Sequence, residues 1–403
     1  MHKRSIVVAL YAAFFLGGSV QAQNFNADLK SVIEHAWQRA VAAHTLEGKR
    51  QEVQANRLQA NALFAGVPAI GLANRQDRWT TRTGTQENEV SLSAPIWLPG
   101  QRSARNRLLD AESTQTESAM MASKLNLAGE IRERLWALVA IEAECDLAKK
   151  RVKASEALET DIKKRVKAGD LSRADALLAR QETLNAQSAL QDAEIKRVEA
   201  LARWEVLTGL KTLPAHVEEA VQSASDITHH PRLLAAYSAR LRAEKHLQLV
   251  AATRRDSPEV GVNYRWEQNG NLSPNIRTIG MAVKIPFATE GRNRPLEAAA
   301  QTEIATAVAE ERIATETILA ELKTAKVLLE QTELRLRLSE ERHMAAKTRA
   351  ALIQKAFELG DQSLMEWLRA RAPVLEAEAT LARDRAALGL ARARLNQAQG
   401  ILP

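Results

Sequence analysis

The hydrophobic pattern of this chain changes period several times, and each change marks an element. An apolar run from Ile6 to Gly17 follows Lys3 and Arg4, and Val20-Gln21-Ala22 precedes Gln23. This order predicts a cleavable secretory signal over residues 1–22. The run is too short to span a bilayer. A helix is expected from roughly Asn26 to Leu63. Two short stretches with period two follow, Pro68 to Trp79 and Glu89 to Ile96, joined by the polar segment Thr80 to Gln86. The pattern then changes to helical. Ile131, Leu138, Cys145 and Val152 recur every seven residues, with Leu135 between, which is coiled-coil spacing. The helical stretch Gln101 to Lys167 has 67 residues, or roughly 100 Å at 1.5 Å per residue. That is too long for a globular fold. Gly169-Asp170 breaks it, and a second long helix runs to Gly209.

The same sequence of patterns then returns. An offset of 191 places Pro95 on Pro286, Gly100 on Gly291, and Gly169-Asp170 on Gly360-Asp361. It also matches Ser172 with Ser363, Ala179-Arg180 with Ala370-Arg371, Ala202-Arg203 with Ala393-Arg394 and Gly209 with Gly400. Pro68 and Gly71 match Pro258 and Gly261 at 190. A period this long indicates duplication of a whole module rather than a solenoid. The expected organisation is signal 1–22, first repeat 23–210, linker 211–229 and second repeat 230–403. The second repeat is expected to contain a helix from Pro231 to Arg255, strands Pro258 to Gln268 and Arg277 to Phe287, and a long helix from Asn293 to about Leu359. Leu322, Leu329 and Leu336 carry its heptads.

The strands repeat one apolar face. Val90, Leu92, Ala94 and Ile96 alternate with polar residues, and so do Ile279, Met281, Val283, Ile285 and Phe287. The offset sets Val90 on Met281, Leu92 on Val283, Ala94 on Ile285 and Ile96 on Phe287. Strands of about 10 residues fit an outer-membrane barrel. Trp79, Trp97, Tyr264, Trp266 and Phe287 would be placed for interfacial girdles. A soluble hairpin packed on the helices fits the alternation equally well. If these strands enter a bilayer, four cannot close a barrel, and open edges are not tolerated there. Several copies must then share one barrel. Three would give twelve strands, a number the sequence alone does not fix.

Composition narrows the chemistry. Lys and Arg number 56 and Asp and Glu 49, for a net charge of +7. Loss of Lys3 and Arg4 with the signal leaves +7 − 2 = +5. Aromatics are only 4%, and the basic residues are spread along helices beside carboxylates. This argues against nucleic-acid binding. One cysteine, Cys145, excludes an internal disulfide, and it sits on the apolar seam of a helix. No cysteine follows the cleavage point, so no lipid anchor is expected. His229-His230 is the one histidine pair, and adjacent helical residues diverge by about 100° and chelate poorly. A linker or solvated role is expected for it. No metal site, cofactor, phosphate loop or nucleophile motif is present in the pattern, so the chain is read as a non-enzyme.

Together these features resemble the TolC-type outer-membrane factor family. They are a signal peptide, two copies of helix–hairpin–long helix–tip–long helix, the joint Pro95-Ile96-Trp97-Leu98-Pro99-Gly100-Gln101-Arg102, and the tips Gly169-Asp170-Leu171-Ser172 and Gly360-Asp361-Gln362-Ser363. Within the family the chain most resembles the cobalt-zinc-cadmium efflux (CzcC-like) branch. The resemblance implies a mostly α fold with a small β part. A homotrimer would share a twelve-stranded barrel in the outer membrane of a Gram-negative bacterium, four transmembrane strands per chain, above a periplasmic tunnel of coiled-coil helices. It implies a passive conduit, in this branch for divalent heavy-metal cations. The partners would be a periplasmic membrane-fusion adaptor, an inner-membrane RND-type pump and outer-membrane lipid. A conduit for drugs or type I protein secretion is the alternative within the same architecture, and a periplasmic coiled-coil scaffold is the alternative outside it. The family's adaptor-contact and gate positions fall on Gly169, Asp170, Leu171, Ser172, Gly360, Asp361, Gln362 and Ser363. Asp170 and Asp361 would form carboxylate rings favouring cations. Arg165 and Lys167 are candidates for ion pairs that hold the gate shut. The barrel's outer face would carry Val90, Leu92, Ala94, Ile96, Ile279, Met281, Val283 and Ile285.

Overall fold

A computed structural model describes residues 28–80, 82–222, 226–269 and 274–403. The expected signal segment lies outside the described residues, as do small parts of the expected linker and of the second hairpin turn. The elements run α1 (Leu29–Arg39), α2 (Val41–Ala60), β1 (Ala69–Gln76), β2 (Thr85–Pro95), α3 (Gln101–Ala168) and α4 (Arg173–Thr208). A short 3₁₀ turn at Ile227–His229 precedes α5 (Pro231–Ala252), β3 (Glu259–Asn269), β4 (Ile276–Lys284), α6 (Glu290–Glu358) and α7 (Leu364–Ala398).

The single first helix expected over 26–63 is in fact two. Ala40 adopts extended backbone, with φ −70° and ψ 133°. The break lets α1 turn its apolar stripe onto α3 and α4, while α2 runs along α3. Leu29, Val32, Ile33 and Ala36 of α1 form a core with Ala128, Ile131, Leu135, Leu138 and Trp204. No local signal at Ala40 requires this, so tertiary packing decides it. Phe287 also falls outside its expected strand, because β4 ends at Lys284. Pro286 follows closely and has no N–H to extend a ladder.

The four strands form one antiparallel sheet in the order β1-β2-β3-β4. Below it, the helices stand in four columns that continue the strands. The first is α2 stacked toward α4, the second α3, the third α5 stacked toward α7, and the fourth α6. In the half nearer the sheet α3 packs on α2 and α5, and in the far half on α4 and α7, while α6 packs on α5 and then α7. The lengths match this arrangement. α3 and α6 have 68 and 69 residues, while α2 with α4 has 20 and 36 and α5 with α7 has 22 and 35.

Packing within the columns follows heptads, with a difference between them. Central α3 buries Ile131, Leu135, Leu138 and Cys145. In α6 the buried seven-residue line is Ile318, Ala325, Thr332 and Ser339. The expected Leu322 and Leu329 flank it, half-buried against Ala325, Leu395 and Ala398. Small residues on the seam bring α6 close to α7, where Ser339 donates to Asp384, itself paired with Arg335 at 2.9 Å.

At mid-height the stacked columns meet in a waist. Arg132 is 1% exposed and makes two bonds to Glu219, of 2.8 and 2.5 Å, and one of 2.6 Å to Gln397. Asn396 donates to Ala220 and accepts from the Gln222 N–H. The segment expected as a linker is therefore bonded across α3 and α7. Removing one partner of such a buried pair costs about 3–5 kcal/mol. His230 corrects a second expectation, for it is 2% exposed rather than solvated. Its Nδ1 accepts from the Arg232 N–H at 3.2 Å and so caps α5. Its ring lies against Gly400, where an added Cβ would come within 2.8 Å.

Burial holds the His230 pKa below the ordinary imidazole value, and the neighbouring Arg232 adds to this while Glu321 and the Gln397 backbone oppose it. The unfolded chain therefore takes up the proton at a higher pH than the folded chain. Stability is full above about pH 6.5 and falls as the pH drops from there toward the folded value. His230→Asn keeps a capping acceptor and removes the titration. Its thermal midpoint is expected to decline less between pH 7 and 5 than that of the unsubstituted protein, as read by circular dichroism.

Candidate functional site

The end of the helical layer away from the sheet is built by two reversals. Gly169 and Gly360 take φ +91° and +85°, left-handed values that a side chain resists. Ser172 then opens α4 with a capping box, accepting from the Asp175 N–H at 3.2 Å while its own N–H donates to Asp175 at 3.0 Å. Ser363 opens α7 by accepting from the Glu366 N–H at 3.2 Å. Asp170, Asp361, Gln362, Gly169, Gly360, Ser172 and Ser363 are all exposed, while Leu171 is half-buried. Leu171 packs with Leu158, Ile162, Ala179, Phe357 and Leu364, residues drawn from both reversals.

The two tips are joined by an aromatic stack. Phe357 of α6 and Trp367 of α7 lie face to face at 5.3 Å, 12° from parallel. The Arg165 guanidinium of α3 sits 5.4 Å from the Phe357 ring centre, within cation–π range. Arg165 also pairs with Asp161 of its own helix at 3.0 Å. Arg165 of the first hairpin thus touches the Phe357 ring of the second, while its carboxylate partner lies on its own helix. Lys167 is exposed and makes no ion pair among the described residues. Nearby, Glu159 is held below the ordinary carboxylate range, first by its bond from Lys163. A 580 Å³ groove between α3, α6 and α7 is lined by Leu158, Arg165, Phe357, Trp367 and Arg371.

At the other end, strand register sorts the sheet into two faces. Directly opposed residues share a face in an antiparallel pair. Leu72, Val90, Tyr264 and Ile279 form one row, Ile70, Leu92, Val262 and Met281 the next, and Ala94, Val260 and Val283 a third. Ile96 and Ile285 lie just beyond their strand ends and are exposed. The opposite face is polar. Glu87 receives Arg75 at 3.3 Å and Arg265 at 3.0 Å, and Arg265 reaches Glu89 at 3.4 Å. Asn263 donates to Glu89 at 3.0 Å.

Sequence reading singled out the apolar half of this alternation and overlooked the charged half. Arg75, Glu87, Glu89 and Arg265 were visible as the intervening positions, but their pairing required the register. Phe357 and Trp367 left no spacing signal. Among the described residues, no group of His, Cys, Asp and Glu has a geometry to hold a metal ion. No helix among them is long and apolar enough to cross a membrane.

No Cβ added at Gly169 or Gly360 would meet another atom. Substitution there therefore tests backbone strain alone. Gly169→Ala and Gly360→Ala are each expected to destabilise by about 1–2 kcal/mol, as measured by thermal unfolding.

Residues 227–401 match the family described as Outer membrane efflux protein. No curated protein matches the chain significantly. Among solved structures, the outer membrane protein VceC of Vibrio cholerae has a TM-score of 0.70 and 17% identity, with 92% of this chain and 96% of that one covered. The CmeC outer membrane channel of Campylobacter jejuni has a TM-score of 0.73 and 14% identity, covering 99% and 94%. The open state of the MtrE outer membrane channel of Neisseria gonorrhoeae has 0.73 and 17%, covering 93% and 89%. The matched family is one of efflux proteins, not of enzymes. The chain thus has the fold of these outer-membrane proteins over nearly its whole length, and its second repeat carries the sequence pattern of outer membrane efflux proteins.

Proposed function

We propose that the chain is the outer-membrane channel of a tripartite efflux system in a Gram-negative bacterium, assembled as a homotrimer. One observation carries this reading. A four-stranded sheet with an apolar face and a charged face continues directly into a helical layer on the order of 100 Å long. The strands have 8, 11, 11 and 9 residues, close to the 9–11 or so that a tilted membrane strand needs. Three copies make a twelve-stranded barrel with lipid on the apolar face and water on the Arg75–Glu87–Arg265–Glu89 face. The same closure makes a twelve-column tunnel in the periplasm. The chain does no chemistry on its cargo. It provides a water-filled path, and an inner-membrane RND-type pump supplies the energy.

The tips receive the periplasmic adaptor and form the closed end of the tunnel. The exposed Asp170 and Asp361 repeat around the threefold axis there and favour cations. The Arg165–Phe357–Trp367 stack ties the two hairpins of one chain together and keeps the aperture narrow. Divalent heavy-metal cations are the proposed cargo, on the strength of the resemblance to the cobalt-zinc-cadmium branch. They cross as solutes rather than as bound ligands.

Purified protein in a planar bilayer tests the conduit. Discrete conductance steps from an oligomer of three chains are expected, and a soluble monomer that never inserts would favour a periplasmic scaffold instead. Deleting the gene should raise cell-associated zinc, cobalt or cadmium under metal challenge. Unchanged metal with raised drug retention would reassign the cargo.

Phe357→Ala is expected to raise open probability in the same bilayers, because it removes the ring shared by Arg165 and Trp367. It should also cost about 3 kcal/mol of stability. Lower stability with unaltered gating would leave the stack as packing only.

A further inference from the structure

The sheet and the helical layer each end in two uncovered edges. Among the described residues, β1 pairs only with β2 and β4 only with β3. Likewise α4 and α6 are the outer columns of the far half. Their free sides carry large apolar residues, including Ile195, Val198 and Val206 on α4 and Val327 and Leu334 on α6. A second copy of this chain is the occupant that can pair both edges at once. The internal repeat gives the pairing residue by residue.

Within one chain, the end of the first repeat's sheet meets the start of the second's along β2 and β3. Pro95 stands opposite Glu259, Leu92 opposite Val262, and the Ile96 N–H donates to the Pro258 carbonyl at 2.8 Å. Between chains, β4 of one copy must meet β1 of the next. The repeat carries β2 onto β4 by adding 191 and β3 onto β1 by subtracting 190. Resting on the multi-copy barrel proposed above, we infer that β4 and the next copy's β1 pair antiparallel with Val283 opposite Leu72 and Ile285 opposite Ile70. The joint below is closed by the Phe287 N–H on the Pro68 carbonyl of the next copy.

Two features of the chain agree with this register, and neither was used to derive it. It places Ile70, Leu72, Val283 and Ile285 on the sheet's apolar face and sets Lys284 opposite Gly71 on the polar face. A slip of one residue would turn every apolar side chain of one strand to the wrong side. The helices give the second. The intrachain α3–α7 contact packs Trp136 with Ala386 and Ala393, and its ring covers Gly389, where a Cβ would come within 2.0 Å. The same offset turns Trp136 into Val327, Ala386 into Ile195 and Gly389 into Val198. Those three residues are 51, 59 and 65% exposed in the single chain. One very large side chain facing two small ones is replaced by three of middle size, so the same space is filled across the seam between copies. Burying side chains this exposed supplies apolar area that a single chain leaves in water.

Cysteine cross-linking of the full-length protein in its membrane tests the register. Directly opposed strand residues lie about 4.5–5.5 Å apart between Cα atoms, within disulfide reach, whereas diagonal neighbours at about 7–8 Å are beyond it. In a Cys145→Ser background, Leu72→Cys with Val283→Cys is expected to give covalent oligomers on mild oxidation. Leu72→Cys with Met281→Cys, and Leu72→Cys with Ile285→Cys, are expected to give little. Preferential cross-linking of either slipped pair, or no cross-link from the matched pair in an intact oligomer, would overturn the register while leaving the channel reading in place. Sizing of the unsubstituted protein reports on that reading separately, since a monomer there removes the shared barrel and the seam with it. Val198→Asp, exposed in the single chain, should shift the sized protein from oligomer toward monomer with its helix content retained. An unshifted oligomer would overturn the helical half of the inference.

Discussion

Unpaired backbone along β1 and β4 is the constraint on which the rest of this chain depends. A strand edge exposes a row of N–H and C=O groups, and hydrocarbon offers them no partner. The proposed site of the sheet therefore demands that each edge be met by another strand. The chain provides two such edges and an apolar face that all four strands share. The helical layer has open sides as well. Its outer columns leave apolar side chains uncovered on α4 and α6, and any arrangement that pairs the strands also brings those columns together.

The waist joins the divided columns of a long helical layer. Four strands sit about 4.8 Å apart, whereas packed helices sit about 8–10 Å apart. A wall that changes from one to the other must change its radius. That change falls at the joints between β2 and α3 and between β4 and α6; α3 and α6 then run on unbroken, while the other two columns are divided at mid-height. At those divisions Arg132, Glu219, Gln397 and Asn396 bond the crossing segment to α3 and α7. The buried His230 occupies the corresponding space beside Gly400. Arg132, Glu219, Gln397 and Asn396 find their partners within one chain, whereas the buried Nε2 of His230 has none among the described residues.

The tip end combines rigidity with exposure. Its turns are fixed by left-handed glycines and serine caps. The Arg165–Phe357–Trp367 stack couples two hairpins that are far apart in sequence. The exposed Asp170 and Asp361 at the same end make no ion pair among the described residues. A packed aromatic contact is a discrete state rather than a spring, because well-packed groups lose much of their attraction within a small displacement.

Period and punctuation in the sequence were sufficient for the element order, apart from the division of the first helix. Heptads marked α3, scarce glycines and prolines marked the tips and joints, and alternation at Val90, Leu92, Ile279 and Met281 marked the strands. These are local signals, set by backbone geometry and by the side of an element that must avoid water. The break at Ala40, the burial of His230 and the role of Phe357 left no such signal. They depend on which surfaces the fold brings together. Arg75, Glu87, Glu89 and Arg265 show the division most directly. Alternation put them on one face, but only the register between strands distant in sequence made them a charged ladder. The sequence by itself determined what each segment is. The tertiary structure alone decided which segments are neighbours, because pairing energy depends on separations that no local pattern encodes.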